Sequence, residues 1–335
     1  MEKISVIVPC YNEQNTIVLL LQAIYDQDWD HSFLEVIIAD GLSSDNTRSV
    51  IAAFEQVHPD LEIKVIDNPA RIIPAALNLA IEHANGEIIV RLDAHCIPER
   101  SYISRCHSGL TSNLAENVGG IWKIKPSQEG WIPLSIAAAA SHPLGVGDAR
   151  YRYTRTAGYV DTVPFGSYWK RLLEEIGRFD ETLLTNEDYE LNARLRKSGY
   201  RIWLDPEIRS TYFSRPSLDQ LGKQYWRYGF WKWKMLNRYP GTIRWRQGLP
   251  PLFVLLLGLL LLLTLIEPAS FVLFLAIIVT YTGILIASSI KKALFHRDPR
   301  LLAGIPLAII TMHFCWGSGF IWSVVSSIVG KNYLK

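Results

Sequence analysis

The spacing of apolar positions changes character along the chain. Residues 4–8 (ISVIV) form a short continuous apolar run, as in a strand buried on both faces. Residues 16–25 carry helical spacing, 34–39 a second buried strand, and 45–54 a second helix. Residues 61–67 alternate as a third strand. Residues 72–83 read as a helix with Pro74 in its first turn, where proline is tolerated, and 87–92 as a fourth strand. Strands alternating with helices predict a parallel, doubly wound α/β sheet, in which ligands sit beyond the carboxyl ends of the strands. Farther on, residues 217–240 predict a helix dense in Tyr, Trp, Lys and Arg, and three uncharged runs then follow at 249–266, 268–290 and 301–330.

Those runs are 18, 23 and 30 residues long. A helix of 18 residues is ~27 Å long, close to the thickness of a bilayer core. Three such runs near one end predict a membrane anchor rather than buried helices of a soluble core. Pro306, His313, Gly317 and Gly319 interrupt the last run, which reads as a kinked span or a segment packed on its neighbours. Lys and Arg set the orientation. Seven lie within 223–246 and four within 291–300, whereas the link between the first two runs has only Glu267. The N-terminal part and the 291–300 loop are therefore expected on the cytoplasmic side of an inner or plasma membrane, in a multi-pass arrangement, with residues 331–335 outside. Lys223, Arg227, Lys234 and Arg238 fall at spacings of 4, 7 and 4 and share one helical face, as in an interfacial helix. The expected organisation is a globular α/β domain over 1–215, an interfacial segment over 216–247 and an anchor over 248–335.

Charge and cysteine content exclude other classes. Net charge is +2 over 335 residues, so nucleic acid is not an expected partner. Before Gly248 there are 28 Lys+Arg against 30 Asp+Glu, and from Gly248 onward 6 against 2, so the apolar tail is basic. Cys10, Cys96, Cys106 and Cys315 are scattered without metal-ligand spacing, which excludes a disulfide scaffold and suits a reducing compartment. The start MEKISVIVP is too short and too soon interrupted for a signal peptide.

The candidate chemistry stands at the strand ends. The first strand runs into Pro9-Cys10-Tyr11-Asn12-Glu13, the second into Asp40-Gly41, the fourth into Asp93-Ala94-His95. Neither GxGxxG nor GxxxxGK[ST] follows the first strand, which disfavours a dinucleotide-binding domain and a P-loop enzyme. A carboxylate-rich crevice without a glycine cradle needs another means to hold phosphate, most simply a divalent metal. Asp93 and His95 lie two apart, a spacing that can bring both to one crevice.

These residues resemble a family. Pro9–Glu13, the stretch 39–47 (ADGLSSDNT), Asp93-Ala94-His95 and Asn186-Glu187-Asp188 occur in the order and spacing of a family 2 glycosyltransferase of GT-A fold. Gln224-Tyr225-Trp226-Arg227-Tyr228 looks like its QxxR[W/Y] element. RLDAH (91–95), HPLGVGDARYR (142–152), VDTVPFG (160–166) and NEDYELNARLRKSGYRIWLDP (186–206) resemble the membrane-anchored succinoglycan-biosynthesis branch.

The resemblance implies transfer of a sugar from a nucleotide diphosphate, with inversion, to a lipid-linked saccharide in surface polysaccharide assembly. Alternatives are transfer onto polyprenyl phosphate and, in a different class, a tethered nucleotide-sugar-binding protein without catalysis. Asp188 is implied as the base that takes the acceptor proton, and Glu187, Gln224 and Arg227 as acceptor-binding. Pro9, Tyr11, Glu13, Asp40, Arg71 and Asp93 are implied at the UDP-sugar donor, Tyr11 by stacking on the base and Asp40 by accepting from a uracil N–H. Where the family has Asp-x-Asp, this chain has Asp93 and His95 as metal ligands, and imidazole suits Mn²⁺ better than Mg²⁺. Asp148, Asp161 and Asp180 are weaker carboxylate candidates. Glu13 and Glu187-Asp188 also read as acidic residues of helical first turns.

Overall fold

A computed structural model describes residues 2–240 and 244–329. In chain order its strands are β1 Ile4–Cys10, β2 Leu34–Asp40, β3 Glu62–Asp67, β4 Ile88–Arg91, β5 Ile97–Pro98, β6 Asn117–Lys125, β7 Gly158–Tyr159, β8 Ser167–Trp169 and β9 Ile202–Phe213. The helices of the first part are α1 Ile17–Tyr25, α2 Thr47–Val57, α3 Ile73–His83 and α4 Tyr102–Thr111. They are followed by α5 Trp131–Ala140, α6 Pro143–Val146, α7 Lys170–Ile176 and α8 Glu187–Lys197. The last four are α9 Leu218–Arg238, α10 Trp245–Leu263, α11 Ala269–His296 and α12 Leu301–Ile328.

The sheet order is β3-β2-β1-β4-β8-β6-β9-β5, with β7 paired to β9. The run β3-β2-β1-β4 is parallel, as the alternation of strands and helices predicts. Beyond β4 the pairing turns antiparallel, through β8 and then β6. The continuous apolar runs follow from burial on both faces. Ile4, Val6 and Val8 pack on one side with α1 and α4, and Ile7 and Ile37 on the other with α3 and α8. In parallel register Cys10 stands opposite Asp40, and Asp40 opposite Asp67, so one sheet edge gathers the strand ends.

The chain divides into two compact units: residues 1–123 with 150–212, and residues 124–149 with 213–335. This differs from a continuous domain over 1–215. The excursion 124–149 supplies α5 and α6, whose Ile136, Ala138 and Ala139 share a core with Leu301, Ile305, Ala308 and Ile309 of α12. The alanine-rich α5 suits close helix packing, because Ala137 to Ala140 are all buried. In the second unit α10, α11 and α12 are each long and apolar enough to cross a membrane. The expected exterior placement of residues 331–335 lies outside the described residues.

Candidate active site

The loops after β1 and β2 are laced together. The Asn12 backbone N–H donates to Ser43 Oγ (2.8 Å), and Ser44 N–H to Asn12 Oδ1 (2.8 Å). Glu13 N–H donates to Thr47 Oγ1 (2.8 Å), and Gln14 N–H to Asp45 Oδ2 (3.3 Å). Asn12 takes a positive φ of 54°, which asparagine tolerates. The SSDNT stretch thus fastens one loop to the other. Pro9, last but one in β1, is half-buried, and Tyr11 is 50% exposed, with its ring beside Gly41, where a Cβ would come within 3.2 Å of it. Asp40 is fully buried, and it accepts from Ser43 N–H (3.1 Å), Ser43 Oγ (2.5 Å) and Arg48 Nε (2.5 Å). Arg48 reaches on to Asp67. Arg71 stands exposed at a positive φ of 55° just before α3.

At the end of β4, Arg91 joins two sequence motifs. Its guanidinium donates to Asp93 Oδ1 from Nε (3.3 Å) and Nη2 (3.2 Å), and from Nη2 to Glu187 Oε1 (3.0 Å). Arg91 is 4% exposed and Glu187 6%. Burial would lower the Arg91 pKa, but Asp93, Glu187 and Asp188 raise it overall. Burial pushes the Glu187 carboxyl up to about 7; Arg91 opposes that rise and Asp188 adds to it. Among the described residues, Arg91 Nη1 has no partner in this buried setting, and neither has Asn186 Nδ2. Asn186, at φ 70°, caps α8, so Glu187 and Asp188 open its first turn, where carboxylates are favoured. Tyr189 N–H donates to Asp188 Oδ1 (2.7 Å).

His95 Nδ1 and Glu13 Oε1 lie 3.0 Å apart, and Glu13 also accepts from Thr16 Oγ1. Among the described residues no three His, Cys, Asp or Glu side chains converge as a closed cage. An aromatic stack adjoins His95. Tyr212 lies 6.5 Å from its ring and stacks on Trp122 at 4.4 Å, and the Arg152 guanidinium sits 5.0 Å from the Trp122 ring centre.

The sequence reading missed Arg91, Arg48 and Arg152. Arg91 precedes the Asp93 motif in RLDAH, and a lone cation ending a buried strand was the available signal. The VDTVPFG stretch is structural as well. Thr162 Oγ1 accepts from Asn192 of α8 (2.9 Å), and Gly166 O accepts from Arg91 N–H (3.1 Å). Asp148 pairs with Arg246 in the second unit, and Asp180 accepts from Thr182 N–H (2.9 Å). Gln224 and Arg227 lie on α9 of the second unit, where Gln224 Nε2 donates to Tyr228 Oη (2.9 Å) and Arg227 is exposed.

A mixed sheet with acidic groups at its parallel strand ends, tied to an acidic helix start, defines a GT-A type glycosyltransferase. The profile of Glycosyl transferase family 2 matches residues 5–177, and the chain belongs to that family. It is 28% identical over 326 residues to a dolichyl N-acetyl-alpha-D-glucosaminyl phosphate 3-beta-D-2,3-diacetamido-2,3-dideoxy-beta-D-glucuronosyltransferase of Methanococcus voltae, covering 96% of each chain. It is 27% identical over 326 residues to the succinoglycan biosynthesis protein ExoA of Rhizobium meliloti, covering 94% of this chain and 93% of that one. In fold it is similar to the mannosyltransferase PcManGT from Pyrobaculum calidifontis, solved in complex with GDP-Man and Mn²⁺. There the TM-score is 0.60 at 21% identity, over 99% of this chain and 88% of that one.

Proposed function

We propose that this glycosyltransferase moves a sugar from a UDP-sugar to a lipid-linked saccharide, with inversion, in surface polysaccharide assembly. It works at the cytoplasmic face of the inner or plasma membrane, anchored by its C-terminal helices. The observation that carries this reading is the buried Arg91 bridge from Asp93, at the donor end, to Glu187, beside the proposed base. The Methanococcus voltae relative supports the acceptor class by its dolichyl-linked substrate, and ExoA supports polysaccharide assembly by its part in succinoglycan biosynthesis.

In this reading Tyr11 and the strand ends around Asp40 bind the nucleoside, with Pro9, Glu13 and Arg71 beside them. Asp40 spends its carboxylate on Ser43 and Arg48, so its contribution to base recognition passes through Arg48 and the exposed Asp67. The acceptor hydroxyl oxygen bonds to the anomeric carbon as the bond to diphosphate breaks, and its proton passes to Asp188. Glu187 is proposed to act on the acceptor, and so, on α9 of the second unit, are Gln224 and Arg227. Asp93 and His95 fit a divalent ion. One is a carboxylate and the other an imidazole backed by Glu13, in the way that metal-bound histidines are commonly oriented. Mn²⁺ or Mg²⁺ held there would supply charge relief for the departing diphosphate.

The test is Asp188→Asn, which keeps shape and removes basicity. Calorimetry should show UDP-sugar binding near that of the parent, and transfer to a lipid-linked acceptor should be abolished. Parent-like turnover would remove Asp188 from the role of base.

A further inference from the structure

The third apolar helix is packed unlike the other two. Of its most apolar stretch 44% is buried, against 17% in α10 and 6% in α11. Its first half lies among α5, α6 and the second half of α11. Met312 would be 3.2 Å from a Cβ on Gly145, His313 Nε2 donates to the Leu144 carbonyl (2.9 Å), and His313 Nδ1 accepts from Tyr281 Oη (2.8 Å). Its second half lies along α9. A Cβ on Gly222 would be 3.1 Å from Cys315 Sγ, and one on Gly229 2.0 Å from the Trp316 carbonyl oxygen. Farther on, Trp233 Nε1 donates to Ser327 Oγ (3.1 Å). Glycine at these positions lets the two backbones touch, so α9 follows α12 from Thr311 to Ser327.

We infer that α12 does not cross the membrane but lies with α9 at the membrane face from which α10 enters. The α10–α11 hairpin then makes the two crossings, and the chain returns to the face it started from.

Length is the first argument. Gly317 meets the entry end of α10, where its Cβ would be 2.7 Å from the Pro250 carbonyl oxygen, and Phe314 lies 6.0 Å from the Phe253 ring. Pro250 is in the second turn of α10, at the start of its uncharged run. From Gly317 to the end of α12 at Ile328, a helix advances ~17 Å, about half of a ~30 Å hydrocarbon core. Starting level with Pro250, α12 has too few residues left to reach the far side.

Charge is the second argument. The α9 helix that accompanies α12 carries Lys223, Arg227, Lys234 and Arg238 on one face, and Lys223, Arg227 and Arg238 are exposed. Were the second half of α12 to run into the bilayer, Lys234 and Arg238, which follow Trp233 and its bond to Ser327, would be drawn into hydrocarbon beside it, where charged side chains are strongly disfavoured. With both helices in the plane of the interface, the same stripe meets lipid phosphates, and the exposed Trp322 of α12 sits where indoles are favoured.

The test is side-selective labelling of the full chain by a membrane-impermeant maleimide. Single cysteines are placed at Val329, at Asp298 between α11 and α12, and at Glu267 between α10 and α11, in a Cys315→Ser background. Cys10, Cys96 and Cys106 are buried. Val329→Cys should react from the same membrane face as Asp298→Cys and from the face opposite to Glu267→Cys. Reaction from the Glu267 face would overturn the inference. A C-terminal alkaline phosphatase fusion, active only outside the cytoplasm, decides the matter if Val329→Cys is silent from both faces. An inactive fusion supports two crossings, and an active one refutes them.

Discussion

Replacing Arg91 by Met should destabilise the catalytic unit far more than replacing Arg91 and Glu187 together. Arg91→Met removes a guanidinium that holds Asp93 at 3.2–3.3 Å and Glu187 at 3.0 Å, and leaves Glu187, 6% exposed, without its cation. Breaking one side of a buried pair costs about 3–5 kcal/mol, chiefly through the charge left behind. At roughly 2–4 °C per kcal/mol for a domain of this size, the melting temperature should fall by about 10 °C. In Arg91→Met/Glu187→Gln no buried charge is stranded there, so the double variant should melt well above the single one. The pH dependence gives an independent check. The folded Glu187 value of about 7 lies above its ordinary 4.5, so its favourable contribution is complete below about 4.5 and lost as pH rises through about 7. Loss of Arg91 raises that value further. The deficit of Arg91→Met should therefore be smaller at about pH 6, where Glu187 can take up a proton, than at about pH 8. Thermal unfolding of detergent-solubilised full chain measures both effects. A double variant as unstable as the sum of the two singles, or a deficit independent of pH, would refute the account of the bridge.

Three further outcomes follow from the site and the anchor. Chelation should abolish transfer, and Mn²⁺ should restore it at least as well as Mg²⁺, because imidazole is a softer donor than carboxylate; full activity in EDTA would contradict a metal role for Asp93 and His95. Arg227→Ala should lower transfer to a lipid-linked acceptor at least tenfold while calorimetric donor binding changes little, since a guanidinium grips a lipid diphosphate by charge-assisted bonds; equal losses in both would place Arg227 elsewhere. Truncation after residue 215 should give a protein that aggregates without detergent, because it strips α12 from the buried Ile136, Ala138 and Ala139 of α5. A monodisperse monomer in gel filtration would overturn that expectation.

What the sequence revealed depended on whether a local pattern carried the information. The four parallel strands and their helices were legible because each is a short apolar run fully buried by its neighbours, and the observed β1 and β2 extend the expected runs by one or two residues. The short strands of the antiparallel half were not, since β5, β7 and β8 are two or three residues long and exist only through distant partners. Motifs at strand ends showed which residues to examine, but not how their charges are used. Asp40 has the position of a ligand-facing carboxylate, yet its oxygens accept from Ser43 and Arg48.

Arg91 shows the same limit from the other side. It stands 96 positions from Glu187, and no periodicity links them. The bridge exists because a parallel strand ending at Arg91 and a helix capped by Asn186 are brought together by the core containing Ile89, Tyr168 and Leu191. Residues 124–149 illustrate the point at the level of domains. Ala137 to Ala140 have no charge and little bulk, so they match either a soluble core or a membrane-side bundle, and their partner decides. That partner is α12, which begins at Leu301 far along the chain and whose own apolar run was equally ambiguous between a span and a packed helix. Each ambiguity is resolved by the other: a small-residue helix with no polar face needs a large apolar surface, and α12 presents one with Ile305, Ala308 and Ile309. The excursion and the last helix therefore have to be read as one packing problem, although the sequence sets them at opposite ends of the second unit.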